Sequence, residues 1–131
     1  MTRLMNAMLS AVAALLLLYG CETVPITGRT QLSLVPSSTM TSMGLEYYRD
    51  FVGKHKVATG GEELESVRRV GGRIQQAVTR YFQQRGESGR LEGYRWEFAL
   101  VEDKSVNAFA LPGGKVVVYT GILPYTQTDA G

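Results

Sequence analysis

The side chains best suited to chemistry are His55, the acidic pairs Glu62–Glu63 and Glu102–Asp103, and Cys21. His55 is the only histidine in the 131 residues. A catalytic zinc site takes three protein ligands and keeps a fourth position for water. His55 has no histidine partner, and Glu62 and Glu63 lie across the Gly60-Gly61 break without metal-ligand spacing. It reads as a surface or helix-capping residue, where positive charge meets the negative end of a helix dipole. Glu102 and Asp103 are adjacent, and neighbours in a strand or turn diverge. They read as a solvated turn and not as a general acid/base pair. No catalytic residue and no metal ligand is assigned, and no His-Glu-x-x-His occurs.

Cys21 is the only cysteine, which excludes an intrachain disulfide. Residues 1–20 have a basic start at Arg3 and an apolar run from Ala11 to Leu18, ending in Leu18-Tyr19-Gly20-Cys21. That run is too short for a membrane span. It resembles a bacterial lipoprotein signal, cleaved before a cysteine that carries lipid. The resemblance implies lipidation at Cys21, a membrane tether without a span, and the bacterial cell envelope as location. Glu22 is not the aspartate that marks inner-membrane retention, which favours the outer membrane. The plainer alternative is an ordinary signal peptide with a free cysteine.

The elements that would position any site are legible in the apolar periodicity. Residues 21–37, broken by Pro25, Gly28 and Pro36, form a linker, with Leu32, Leu34 and Val35 docking on the domain. Residues 38–131 form one domain. From Ser38 to about His55, Met40, Met43, Gly44, Tyr47, Tyr48 and Phe51 share one helical face. Glu62 to about Gln84 is a second amphipathic helix with acidic residues at its start. Gly71-Gly72 inside it signals tight packing. Tyr94–Val101 alternates as a strand, and Val106–Leu111 and Lys115–Tyr119 form a hairpin around Pro112-Gly113-Gly114. Val116 to Tyr119, apolar at consecutive positions, suits an interior strand. The expected class is α+β, with both helices on one face of a small, mostly antiparallel sheet. Thr128 and Asp129 read as the cap and first turn of a further helix. Fourteen basic against twelve acidic residues give a net charge of +2, without a basic cluster; this is too weak to argue for nucleic acid, and no nucleic-acid partner is expected.

The run Val106-Asn-Ala-Phe-Ala-Leu-Pro-Gly-Gly-Lys to Gly121 resembles the strand pair of HtpX-type zinc metallopeptidases (peptidase family M48), especially their bacterial lipoprotein members. Further matches lie near Thr27-Gly28-Arg29, Met43-Gly44 and Val70-Gly71. The resemblance implies a truncated zincin-type domain. The family's next helix carries His-Glu-x-x-His, whose histidines lie on one face and hold zinc, with the glutamate as general base. None of those residues is present, so zinc belongs to the full-length family and is not bound by this chain. What the resemblance carries over is the substrate strand: Asn107, Ala108, Phe109 and Ala110 would hold an extended or misfolded polypeptide by strand addition. The implied function is the N-terminal fragment of a membrane-anchored metalloendopeptidase of envelope quality control. The alternatives are a non-enzymatic binding or adaptor lipoprotein and a non-functional remnant. The uncovered Ala108/Ala110 face and Val116–Tyr119 predict marginal stability and aggregation.

Overall fold

The computed structural model describes Met8, Cys21–Thr23, Thr30–Leu32 and residues 35–131. The chain divides into two units, residues 1–36 and 37–131. In the first, β1 (Cys21–Thr23) pairs antiparallel with β2 (Thr30–Leu32), Cys21 opposite Leu32. The leader, apart from Met8, and Leu34 of the expected docking segment lie outside the described residues.

The second unit begins with α1 (Ser37–Lys54). Its buried residues are Gly44 and Tyr48, while Met40, Met43 and Tyr47 of the expected apolar face are exposed. The contact face is rotated because Gly44 is where the helix comes closest to the sheet. A side chain there would collide with the Pro112 carbonyl. The helix that seats on its glycine turns Tyr48 inward and leaves Tyr47 and Met43 outside. At the C-terminal end the His55 ring lies on Phe51, centroids 3.9 Å apart, with Nδ1 2.8 Å from the Phe51 carbonyl.

Next comes α2 (Glu62–Gln84), with three glutamates in its first turn and Leu64 and Gly71 buried. The expected reason for the Gly71-Gly72 pair holds for one member. A Cβ on Gly71 would lie 2.6 Å from Cζ of Phe98, whereas Gly72 faces open space.

The sheet holds β3 (Glu97–Val101), β4 (Ala108–Leu111) and β5 (Lys115–Tyr119) in the order β3-β5-β4. Beyond β5 comes a short helix, α3 (Leu123–Thr126), followed by residues 127–131. The chain leaves β3, forms the far edge as β4, then turns back through Pro112-Gly113-Gly114 into the middle. Gly113 and Gly114 both take positive φ, 88° and 83°, the conformation for which glycine has no steric cost. A Cβ on Gly114 would sit 3.0 Å from the Trp96 ring. The α+β class is as expected, and the sheet is mixed: β4 and β5 are antiparallel, β3 and β5 parallel. The central strand is the one expected to be interior, with Val117 fully buried.

The helices do not share a face. Strand residues alternate sides. Tyr48 of α1 packs with Ala99, Val101 and Val117, and Phe51 with Phe109 and Tyr119. Gly71 of α2 packs on Phe98, which points the other way. The sheet therefore lies between α1 and α2, where the pattern predicted both on one side. Each helix supplies an apolar stripe of ordinary width, and the pattern alone does not tell which sheet face receives it.

Candidate functional site: the open edge of the sheet

Of the substrate residues expected from sequence, Ala108, Phe109 and Ala110 lie on β4, at one edge of the sheet, and Asn107 directly precedes it. Register decides what each can do. The Tyr119 N–H donates to the Asn107 carbonyl at 3.0 Å, which makes that pair hydrogen-bonded. In an antiparallel ladder bonded and non-bonded pairs alternate. Phe109 opposite Val117 and Leu111 opposite Lys115 are therefore bonded pairs, and Ala108 and Ala110 are not. The main-chain N–H and C=O groups of Ala108 and Ala110 point away from β5, to the outside. Both alanines are exposed. The four residues thus divide: Asn107 and Phe109 hold the edge strand in place, and Ala108 and Ala110 present it.

The side chains follow the same division. Phe109 stands edge-on to Phe51 of α1, centroids 5.2 Å apart. Tyr47 stacks beyond Phe51 at 6.2 Å and is 55% exposed. Phe51 and Val52 are on opposite flanks of α1, since Val52 lines a cleft against β3. Tyr47 and Met40 lie further round on the Phe51 side of α1 and are both exposed. A strand added to that edge would meet apolar side chains on the α1 side and small alanines on the other.

The remaining candidates are elsewhere and apart. Glu102 pairs with Lys56 at 2.5 Å. Asp103 accepts the Ser105 N–H at 2.7 Å, and the Ser105 hydroxyl and N–H hold its carboxyl below the usual range. Cys21 belongs to the other unit, opposite Leu32 in β1. A cleft of about 540 Å³ opens against β3, at the edge of the sheet opposite β4, with Tyr48, Leu64, Arg68 and Glu97 among its walls. Two of these are already engaged, Arg68 with Glu65 at 3.0 Å and Glu97 with Lys115 at 2.6 Å.

Sequence reasoning missed two polar constellations. Lys115 is 1% exposed and donates to the Arg95 carbonyl and to Glu97 Oε1, beneath the Tyr48 ring. Burial, and secondarily the Glu97 charge, raise the Tyr48 hydroxyl above its usual range. The strand pattern concealed this lysine, because it opens the apolar run as a turn residue would. The second is around Asp129. Arg69 grips it in bidentate fashion, Nε to Oδ2 at 2.6 Å and an Nη to Oδ1 at 2.9 Å, and the Ser66 hydroxyl donates to Oδ1 at 2.8 Å. These bonds hold its carboxyl far below the usual range. The signal in the sequence is the spacing of Ser66, Arg69 and Arg73, one row along a helix.

The α2–sheet segment that carries this edge coincides with a known family. Its residues 68–131 match the model of Peptidase family M48. Residues 68–131 belong to peptidase family M48. The M48 segment thus includes most of α2, all three strands of the sheet, and Asp129. Curated relatives agree. A fission-yeast (Schizosaccharomyces pombe) protein named mitochondrial metalloendopeptidase OMA1 is 29% identical over 110 residues, 84% of this chain and 30% of its own length. Proteins of the same name from Arabidopsis thaliana and Saccharomyces cerevisiae are 49% identical over 43 residues and 45% over 47, covering 9% and 14% of their lengths. The chain spans less than a third of each of these relatives. They overturn the expected bacterial-envelope location and its outer-membrane preference: all three relatives are named as mitochondrial and come from eukaryotes.

The M48 family is one of zinc peptidases, and the residues present do not fit that metal. Among the described residues no group of three or more His, Cys, Asp or Glu is placed to hold an ion. His55 is turned to its own helix end and stacked on Phe51.

Proposed function

We propose that the protein works in zinc-dependent endoproteolysis and that this chain supplies the strand on which an extended polypeptide substrate is laid out. The observation that supports this is the β4 register, which leaves the main-chain groups of Ala108 and Ala110 facing outward within an M48 segment. An extended peptide adds to such an edge as a further strand, bound through its backbone and sorted by alternate side chains. Asn107 and Phe109 keep the edge in register and Ala108 and Ala110 donate and accept. In this reading substrates are misfolded or unstructured segments, because only an extended backbone pairs with an edge. Zinc would be held by a His-Glu-x-x-His helix in the same polypeptide, with the glutamate activating water. Lipid attachment at Cys21 is a separate proposal, resting on residues 18–21 alone; mass spectrometry of the membrane-extracted protein tests it.

The absence of a metal-holding group among the described residues favours a second reading, a peptide-binding module without catalysis. The codons after Gly131 separate the two. His-Glu-x-x-His within about three helical turns supports the peptidase, and a stop codon before any such motif sinks it. For the edge itself, an unstructured apolar peptide should bind the chain and protect Ala108 and Ala110 amides from hydrogen exchange. The same peptide N-methylated at alternate positions should not bind. Equal binding by both would remove strand addition from either reading.

A further inference from the structure

The turn at Thr128 is held from outside. Thr128 Oγ1 accepts the Ala130 N–H at 3.3 Å, and its carbonyl accepts the Gly131 N–H at 3.0 Å. A capped turn therefore opens at Thr128, with Asp129 as its first residue. The residue before it, Gln127, takes φ 56°, the one positive value at a non-glycine position among the described residues. It reverses the chain directly after α3. A non-glycine residue in that region persists only where its surroundings hold it.

The hold comes from α2. Both carboxylate oxygens of Asp129 are occupied, Oδ2 by Arg69 Nε at 2.6 Å, Oδ1 by an Arg69 Nη at 2.9 Å and by the Ser66 hydroxyl at 2.8 Å, with Arg73 at 3.9 Å from Oδ2. A lone exposed ion pair contributes little, but a bidentate arginine–carboxylate pair with a third donor fixes direction as well as distance. Ser66 and Arg69 are themselves fixed, because α2 is anchored by buried Leu64 and by Gly71 against Phe98. Asp129 thus reports the position of the sheet, through α2, to the backbone leaving at Thr128.

We propose that Ser66, Arg69 and Asp129 form a clamp that sets the direction in which the chain departs from Thr128. They are positioning residues: none touches the β4 edge. The second part of this inference rests on the peptidase reading above. There, the clamp aligns the helix that starts at Thr128, and so the groups that helix carries, with the substrate edge.

The test has two arms. In the 131-residue chain, NMR should show the wild-type Arg69 Nε–H as a distinct, slowly exchanging resonance. It should vanish in Asp129→Asn and weaken in Ser66→Ala. Arg68→Ala, whose side chain pairs with Glu65 and not with Asp129 among the described residues, should leave it unchanged. An Arg69 signal that exchanges as fast as those of free arginines in the wild type would overturn the clamp. In the product of the complete reading frame, Arg69→Ala should lower kcat about a hundredfold, as for a misplacement of about 1 Å, with KM unchanged. Arg69→Lys should recover part of the loss. Unchanged kcat in Arg69→Ala would overturn the positioning role. A wild-type product without peptidase activity would sink the peptidase reading, and with it the positioning role, and leave the clamp to be decided by NMR.

Discussion

Gly71 and Gly72 are neighbours of one type with opposite surroundings. A methyl group on Gly71 meets the Phe98 ring, and one on Gly72 meets nothing within 4 Å. Gly71→Ala should destabilise by about 1–3 kcal/mol, the ordinary cost of overpacking. Gly72→Ala should stabilise by about 1 kcal/mol through helix propensity. Urea denaturation of the two variants checks both signs. Lys115 gives a second prediction at this scale. Its ammonium is buried while its carboxylate partner Glu97 is half-exposed. Glu97→Ala leaves that charge without a counter-ion and should cost about 2 kcal/mol, less than breaking a fully buried pair because Glu97 is itself half-exposed. Lys115→Met keeps the volume, removes the charge, and takes the donor from the Arg95 carbonyl and from Glu97, whose half-exposed carboxylate can turn to water. It should cost less than Glu97→Ala in the same denaturation experiment.

The strand β4 makes its prediction as an element. Proline removes a main-chain donor and is tolerated on edge strands where that donor faces out. Ala110→Pro should cost about 1 kcal/mol and abolish peptide binding. Phe109→Pro should unfold the hairpin, because its N–H faces β5. Equal melting temperatures for the two variants would show the register to be wrong. α2 makes another, through Asp129. Its carboxyl is held below the usual range by Arg69 first and Ser66 second. A depressed carboxylate contributes stability above its unfolded value, about pH 4, and loses it as pH falls towards the folded value. Wild type should therefore melt above Asp129→Asn at pH 7, and the gap should begin to narrow as the buffer is taken from pH 4 to pH 3. A gap constant with pH would mean that the charge contributes nothing.

On the scale of the molecule, apolar surface remains uncovered. Met43 is 61%, Val106 57% and Tyr47 55% exposed, and the edge strand β4 has no charge or proline among its four residues. Native sheets usually protect such edges. The chain should associate as concentration rises, and a charge at Tyr47→Lys or Val106→Lys should suppress this without lowering the melting temperature. Light scattering across a dilution series reads the effect; identical scattering in wild type and variants would place the sticky surface elsewhere.

The elements were legible in the residues because local forces dominate them. The α2 bounds, the Pro112-Gly113-Gly114 turn and the interior character of Val116–Tyr119 follow from periodicity, from glycine's freedom at positive φ, and from the need to bury a continuous apolar run. The strand β4 was legible too, although the pattern began it at Val106 and the folded strand spans Ala108–Leu111. Three things required the folded molecule. The parallel pairing of β3 with β5 depends on the return of β5 between two earlier strands, a non-local event with no signature in either strand. The rotation of α1 depends on how closely Gly44 approaches Pro112. The division of Asn107, Ala108, Phe109 and Ala110 into holders and presenters, and the meeting of Arg69 with Asp129 sixty positions away, depend on register and packing. Side-chain type and period announce which face of an element is apolar, but which backbone edge is left open, and which distant charge lies opposite, is set by what the rest of the chain packs against it.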